Sequence, residues 1–343
     1  MLQPAELKHL KEVSARVGRD MTLVQGAGGN TSVKDGDVLW VKASGAWLSE
    51  ADKRDIFVPV DLPGALRALG QGVEKMPVAD PAATLRPSIE TSLHALLPHR
   101  GVLHVHAVNT IAWASSIGVE QEIARRLEGL AWARVPYRRP GLALSQVVAE
   151  TLARRKPDVL ILGNHGLLVG AANCAAAETL VREVERRLHL PARSAPAGDR
   201  AALEAVCRGT EYRPAADDAC HRLATDRHSL AIVTKGSLYP DHVVFLGPAM
   251  RALSAGERIV DVIAANAAAG LPPPVALLVP GAGAVMRADI QPGAEAMLVC
   301  LALVAERIPA DARISYLPAD EERALLDWDA EKYRKALSTG HAS

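Results

Sequence analysis

Between Val159 and Val169 an apolar run is interrupted at its centre by Gly163-Asn164-His165-Gly166. Each half is long enough only for a short buried strand. A buried strand does not break itself with Asn-His-Gly unless the backbone has to turn tightly and present a side chain. The chain therefore has to place two short strands around a turn that carries His165. That histidine is either a satisfied core residue filling a bend or a ligand.

A second histidine pattern bears on that choice. In GVLHVHAVN (101–109), His104 and His106 stand two apart in a predicted strand, Val102 to His106. Strand residues i and i+2 face the same side, so the two imidazoles converge from Cα atoms about 7 Å apart. That is a workable bite for one divalent ion, which takes nitrogen at about 2.0–2.1 Å. The alternative is a polar strand face. With His165 added, three histidines and an open fourth position describe a catalytic rather than a purely structural site.

Just upstream, RPSIETSLHALLPH (86–99) predicts a helix over about 88–97. Ile89, Leu93, Leu96 and Leu97 form its buried side, Ser88 is placed to cap it, and Pro98 stops it. Glu90 is then either a helix-start carboxylate facing the dipole or a general base beside the metal. The glycine-rich VQGAGGNTSVK (24–34) fails the dinucleotide fingerprint, because the sixth position from Gly26 is Thr31. It also lacks the Lys-Ser/Thr ending of a P-loop. It can form a nest of backbone N–H groups for a phosphate, or simply a turn. VKASG (41–45), with Ser44 and a permissive Gly45, offers a second such place.

The rest of the chain reads as two units. A helix over 2–17 and a strand pair within 21–43, bent at Lys34-Asp35-Gly36-Asp37, open the first. A helix striped by Ala177, Leu180, Val181, Val184 and Leu188 closes it. The Pro- and Ala-rich PARSAPAGD (191–199) has no periodicity and marks a boundary, giving domains over 1–190 and 200–343. The second unit reads as strands at 230–235, 243–246 and 275–279, with helices near 257–268, 293–307 and 319–337. ALLVPGAGAVM (276–286) is a turn, since its sixth glycine position is Met286. Tyr239-Pro240-Asp241-His242 reads as a local Asx turn, with a polar pair reaching the first domain's cleft as the alternative.

Composition removes several function classes. Of 343 residues, 49% are hydrophobic and 23% charged, which is a soluble globular balance and not a disordered one. Lys and Arg number 39 and so do Asp and Glu, so neither a nucleic acid nor an anionic membrane is an expected partner. Five Trp, five Tyr and two Phe leave little for stacking on bases. Cys174, Cys207, Cys220 and Cys300 are scattered, as in a reducing compartment. The N-terminus lacks the apolar core of a secretory signal, and no run reaches the roughly 18 apolar residues of a membrane span. A soluble, cytoplasmic protein is expected.

Taken together, GAGGNTSVK, VKASG, RPSIETSLHALLPH, VLHVHAVNT, VPYRRPG (135–141) and LGNHGLLV resemble the class II aldolase/adducin family, in its order and spacing, over roughly residues 5–190. The wording is most similar to the aldolase half of bifunctional rhamnulose-1-phosphate aldolase/alcohol dehydrogenases, although the remaining length is not expected to hold a dehydrogenase half. The resemblance implies a three-layer α/β fold with a mainly antiparallel central sheet, followed here by a smaller C-terminal α/β domain of unassigned role. It implies Zn2+, or another divalent metal, on His104, His106 and His165, with Glu90 as catalytic base. Gly29, Asn30, Ser44, Gly45 and Ser88 would then hold a substrate phosphate.

Sugar-phosphate aldolases of this family often carry a second Ser directly before the Glu, where this chain has Ile89. Lys42 is a point charge that can compensate, or a solvated strand residue. The implied reaction is reversible aldol cleavage of a ketose phosphate, such as rhamnulose 1-phosphate or fuculose 1-phosphate, to dihydroxyacetone phosphate and an aldehyde. A metal-dependent decarboxylase, epimerase or dehydratase shares the same enolate chemistry, and an adducin-like scaffold is the non-catalytic alternative. A small-molecule sugar phosphate is the expected partner, in a homo-oligomer that is a tetramer or a dimer.

Overall fold

A computed structural model describes residues 5–329, 331 and 332. Seven strands form the larger sheet: β1 (Asn30–Asp35), β2 (Val38–Lys42), β3 (Phe57–Asp61), β4 (Gly101–Val105), β5 (Trp132–Val135), β6 (Val159–Leu162) and β7 (Gly166–Ala171). Their order is β3-β2-β1-β4-β7-β6-β5, antiparallel throughout except for the β5–β6 pair. The helices of this half are α1 (Ala5–Gly18), α2 (Leu62–Gly70), α3 (Thr91–Leu96), α4 (Val108–Ala114), α5 (Glu120–Arg126), α6 (Leu142–Arg154) and α7 (Cys174–Arg187).

Period-2 alternation sorts the sheet's two faces. Val33, Leu103, Val105, Ile161, Leu167 and Val169 pack with residues of α1, α4 and α7. Val102, Leu160, Leu162 and Leu168 pack with Leu93 and Leu97 around α3 and with Leu144 and Val148 of α6. The result is the expected three-layer α/β architecture with a mainly antiparallel central sheet. His104, two residues beyond Val102, points to the α3 side, and that places it next to Glu90.

The smaller sheet is built from β8 (Tyr212–Pro214), β9 (Arg251–Ala252), β10 (Ala276–Val279) and β11 (Gly283–Arg287), in the order β8-β11-β10-β9. Around it run α8 (Arg200–Cys207), α9 (Asp218–Thr225), α10 (Arg227–Lys235), α11 (Pro240–Leu246), α12 (Ile259–Ala268), α13 (Pro292–Ala305) and α14 (Ala319–Asp327). The 191–199 segment has no regular structure, yet Arg193 pins it to Asp226, Ser229 and the Ala305 carbonyl. The largest apolar core is continuous across it, joining Leu7, Ile111 and Val184 to Val243, Met297 and Leu301. Among the described residues no helix is long and apolar enough to cross a membrane.

Several expectations are corrected. Residues 230–235 and 243–246 lie in helices α10 and α11, not strands. The Asp226 carboxylate accepts from the N–H groups of His228 and Ser229, and Pro240 opens α11, so caps decide against the β-branched runs. The 21–29 stretch turns instead of pairing, with positive φ at Gly26 and Gly29. The helix expected over 319–337 is interrupted at Trp328, which is extended, with helical residues again at 329, 331 and 332; residues 330 and 333–337 lie outside the described residues. Ser88 does not cap α3 directly: Glu90 occupies the N-cap, and the Ser88 hydroxyl accepts from its N–H at 3.2 Å.

Candidate metal centre

Three elements deliver three imidazoles. His104 lies in β4, paired with Asn30 of β1 on one side and Leu168 of β7 on the other. His106 follows where β4 ends. His165 sits in the β6–β7 turn, with Asn164 before it at φ 50°. Ring centroids are 5.0, 4.9 and 5.2 Å apart, so each imidazole faces the other two. Glu90 completes a buried group whose candidate ligand atoms all lie within 4.8 Å of one another.

Hydrogen bonds set which nitrogens are bare. Nδ1 of His104 meets the Leu167 carbonyl at 3.0 Å, and a carbonyl only accepts, so that nitrogen carries the proton. Nδ1 of His106 stands 3.0 Å from Oδ2 of Asp241, and a carboxylate oxygen likewise only accepts, which favours the proton on that nitrogen. Both Nε2 lone pairs are then directed at one another across 3.2 Å. Two lone pairs repel at that distance unless a cation lies between them. Glu90 stands 3.4 Å from Nε2 of both His104 and His165. Four donors arranged tetrahedrally about zinc would be about 3.3 Å apart. The donor set therefore fits a divalent metal in number, chemistry and spacing.

Electrostatics agree with that fit. Burial opposes the Glu90 charge, and the imidazoles of His104, His165 and His106 with the Asn30 amide outweigh it, holding the carboxyl at about 2. Burial takes His165 down to about 3 and moves His104 in the same direction. At neutral pH the centre holds one carboxylate facing uncharged imidazoles at His104 and His165, which is the protonation state a cation requires.

The surrounding turns are held close to these groups. The Asn30 amide donates to Glu90 at 2.9 Å and to the Ser88 hydroxyl at 3.2 Å, while its carbonyl oxygen meets His94. Gly29 has φ +60°, and a Cβ there would stand 2.8 Å from the His104 carbonyl, so only glycine lets the loop lie against β4. Lys42 is 2% exposed and donates to the carbonyls of Ala27 and Ala46, tying the 24–30 loop to the Ser44-Gly45 turn. It is not a solvated strand residue. Ser44 N–H bonds the Arg86 carbonyl and Ser88 N–H the Lys42 carbonyl, which sets the two serines side by side. The Ser44 hydroxyl is buried with no hydrogen-bond partner.

Gly29, Asn30, Lys42, Ser44, Gly45, Ser88, Glu90, His106 and His165 line one small cavity of about 20 Å³, and His104 lies beside it. Ala27, Ile89, Pro140, Pro240, Asp241 and Glu331 complete the wall. Asp241 and Glu331 were not identified as site residues from the sequence. For Asp241 the signal existed in the alternative of a polar pair reaching the cleft, of which Asp241 alone arrives, while His242 accepts from the Leu238 N–H at 3.3 Å. For Glu331 nothing in the local pattern separates it from any helical carboxylate.

A sequence profile describing the class II aldolase and adducin N-terminal domain matches residues 8–190, more than half of the chain. The chain belongs to the class II aldolase and adducin family. An L-fuculose phosphate aldolase of Methanocaldococcus jannaschii is 27% identical over 154 residues, 43% of this chain and 75% of that protein. An uncharacterized oxidoreductase of Bacillus subtilis, YuxG, is 28% identical over 241 residues, which is 63% of this chain. The chain spans only 33% of that protein's length. Among solved structures, the N-terminal class II aldolase domain of a conserved protein from Thermoplasma acidophilum aligns with 27% identity and a TM-score of 0.47, covering 55% of this chain and 94% of that one. The family profile takes in His104, His106, His165 and Glu90 and stops short of Asp241 and Glu331.

Proposed function

We propose that this protein is a zinc-dependent lyase that reversibly cleaves a ketose phosphate, a deoxy-sugar 1-phosphate, to dihydroxyacetone phosphate and an aldehyde. The observation that carries this reading is the sharing of one cavity by the imidazole–carboxylate group and the Gly29-Asn30, Ser44-Gly45 and Ser88 turns. An electrophilic centre and an anion cradle are what a phosphorylated carbonyl substrate needs side by side. The likeness to the fuculose phosphate aldolase of M. jannaschii supports the same reaction class.

A divalent ion at the three histidines supplies a Lewis acid for the negative charge that develops as the carbon–carbon bond breaks. The protein's own groups do the rest. Glu90 exchanges the proton at the donor carbon through Oε1, which has no hydrogen-bond partner, while Oε2 is held by Asn30. The free hydroxyl of Ser44 and the N–H groups of the Gly29 and Gly45 turns hold the phosphate, with Lys42 keeping both turns in place. Pro140, Pro240 and Glu331 stand in the wall of the same cavity, where a bound substrate would meet them.

A panel of sugar phosphates and the matching uncharged sugars, assayed for dihydroxyacetone phosphate release by the zinc-loaded protein, tests the assignment. Release from a ketose 1-phosphate, and its loss by about 10²–10⁴-fold in Glu90→Gln, is the expected result. Decarboxylation or epimerisation without carbon–carbon cleavage would reassign the reaction, and no turnover of any substrate would leave the scaffold reading.

A further inference from the structure

The three imidazoles belong to the family segment, but one of them, and the residue before another, are held from the C-terminal half. Asp241 is 2% exposed and sits in the first turn of α11, with Oδ2 3.0 Å from Nδ1 of His106. Every residue of α11 is buried, and the helix packs against α13 and α14, so the carboxylate has a fixed place. The 24–30 loop leaves room for this pair. A Cβ at Gly28 would stand 2.9 Å from His106 Nδ1 and 3.2 Å from Asp241 Oδ2, so any larger residue would press on both.

The same stretch reaches the second imidazole. Asn164, directly before His165, takes φ 50° and donates its amide to the carbonyls of Leu238, at 2.9 Å, and Ser315, at 2.7 Å. Ser115 adds a hydrogen bond to the same Leu238 carbonyl. Residues 238–241 therefore touch His106 itself and the neighbour of His165.

We infer that Asp241 is a positioning residue for His106, and that the C-terminal half is a structural part of the metal centre. The inference rests on the metal-dependent reading above. A carboxylate on the far nitrogen of a ligating imidazole fixes its tautomer and ring orientation and raises its basicity. Among the described residues Asp241 is the carboxylate at Nδ1 of His106, and Leu167 does the corresponding work for His104 with a neutral carbonyl.

The test is the affinity of the full chain for Zn2+, measured by competition with a chromophoric chelator, alongside the melting temperature of the metal-free protein. Asp241→Ala should weaken zinc binding by about 10–100-fold, and Asp241→Asn, which keeps an acceptor oxygen, should recover part of that loss. The metal-free melting temperature of Asp241→Asn should match that of the unaltered protein. Unchanged affinity in both variants overturns the inference. So does a loss in Asp241→Asn that is matched by a fall in its metal-free melting temperature, since that is a packing role only. If Asp241→Ala does not fold, Asp241→Asn and Gly28→Ala carry the test, and both should weaken zinc binding. Failure of the unaltered protein to bind any divalent ion at His104, His106 and His165 overturns the metal reading itself, whereas tight binding that is insensitive to Asp241 overturns only this inference.

Discussion

The two sheets bury different things. Asn30, Lys42 and His104 lie in strands of the seven-stranded sheet and His94 in α3 against them, all polar and buried beside the centre. The four-stranded sheet buries Leu277, Leu278, Ala284, Val285 and Met286, an ordinary apolar interior. Its buried His221 does structural work, its Nδ1 accepting from the Ala284 N–H at 3.2 Å. Burying a polar group costs free energy unless it is satisfied, so an interior crowded with them marks where function has displaced packing. The C-terminal half keeps an apolar core around its sheet and lends the other half the carboxylates of Asp241 and Glu331 and the carbonyls of Leu238 and Ser315.

The sharpest way to break this contrast is to remove one buried histidine from each half. His104→Ala should abolish stoichiometric metal binding, read by elemental analysis after gel filtration. His221→Ala should leave the metal content intact and lower stability by about 1–3 kcal/mol, because the Ala284 N–H loses its buried acceptor. Equal metal content in the two variants would remove the distinction between the sheets.

A smaller effect is expected at the seam. Asn164→Ala strands the Ser315 carbonyl, leaves the Leu238 carbonyl with the Ser115 hydroxyl alone, and puts an alanine at positive φ. Urea unfolding should show a loss of about 1–3 kcal/mol, concentrated in the contact between the halves. A variant as stable as the parent would show that this contact is incidental.

The smallest effect sharpens the comparison through acid. Burial takes His94 in the first half and His242 in the second each down to about 3. Unfolded chains accept those protons near pH 6.5, while the folded protein does not. Stability is therefore complete above that pH and falls as pH drops toward 3, by about 1.4 kcal/mol per pH unit for each imidazole. His242→Leu should flatten the slope of unfolding free energy by that amount between about pH 5.5 and 4.5. An unchanged slope would mean that the His242 imidazole titrates in the folded protein as it does in the unfolded chain.

Legibility differed between the halves for a physical reason. In the first, turns and polar residues interrupt apolar runs at places where only chemistry explains them, as at Asn164-His165 and at Gly28-Gly29-Asn30. Period-2 spacing then puts His104 and His106 on one side before any contact is known. In the second, Leu230-Ala231-Ile232-Val233 and Val243-Val244-Phe245 carry strand-forming side chains, and β-propensity pointed the wrong way. Asp226 and Pro240 start both segments as helices, and packing on α13 keeps them so.

Motifs in their order along the chain thus sufficed for the resemblance to the family, and the resemblance, not spacing alone, singled out the three imidazoles, the carboxylate and the glycine turns. The partner of His106, the burial of Lys42 and the closing of the cavity by Pro240 and Glu331 were decided only on folding. Lys42 is buried by carbonyls only 15 and 4 positions away, whose approach depends on how the loops fold back. The other contacts join residues more than a hundred positions apart, and no periodicity encodes which side chain of one half will meet which nitrogen of the other.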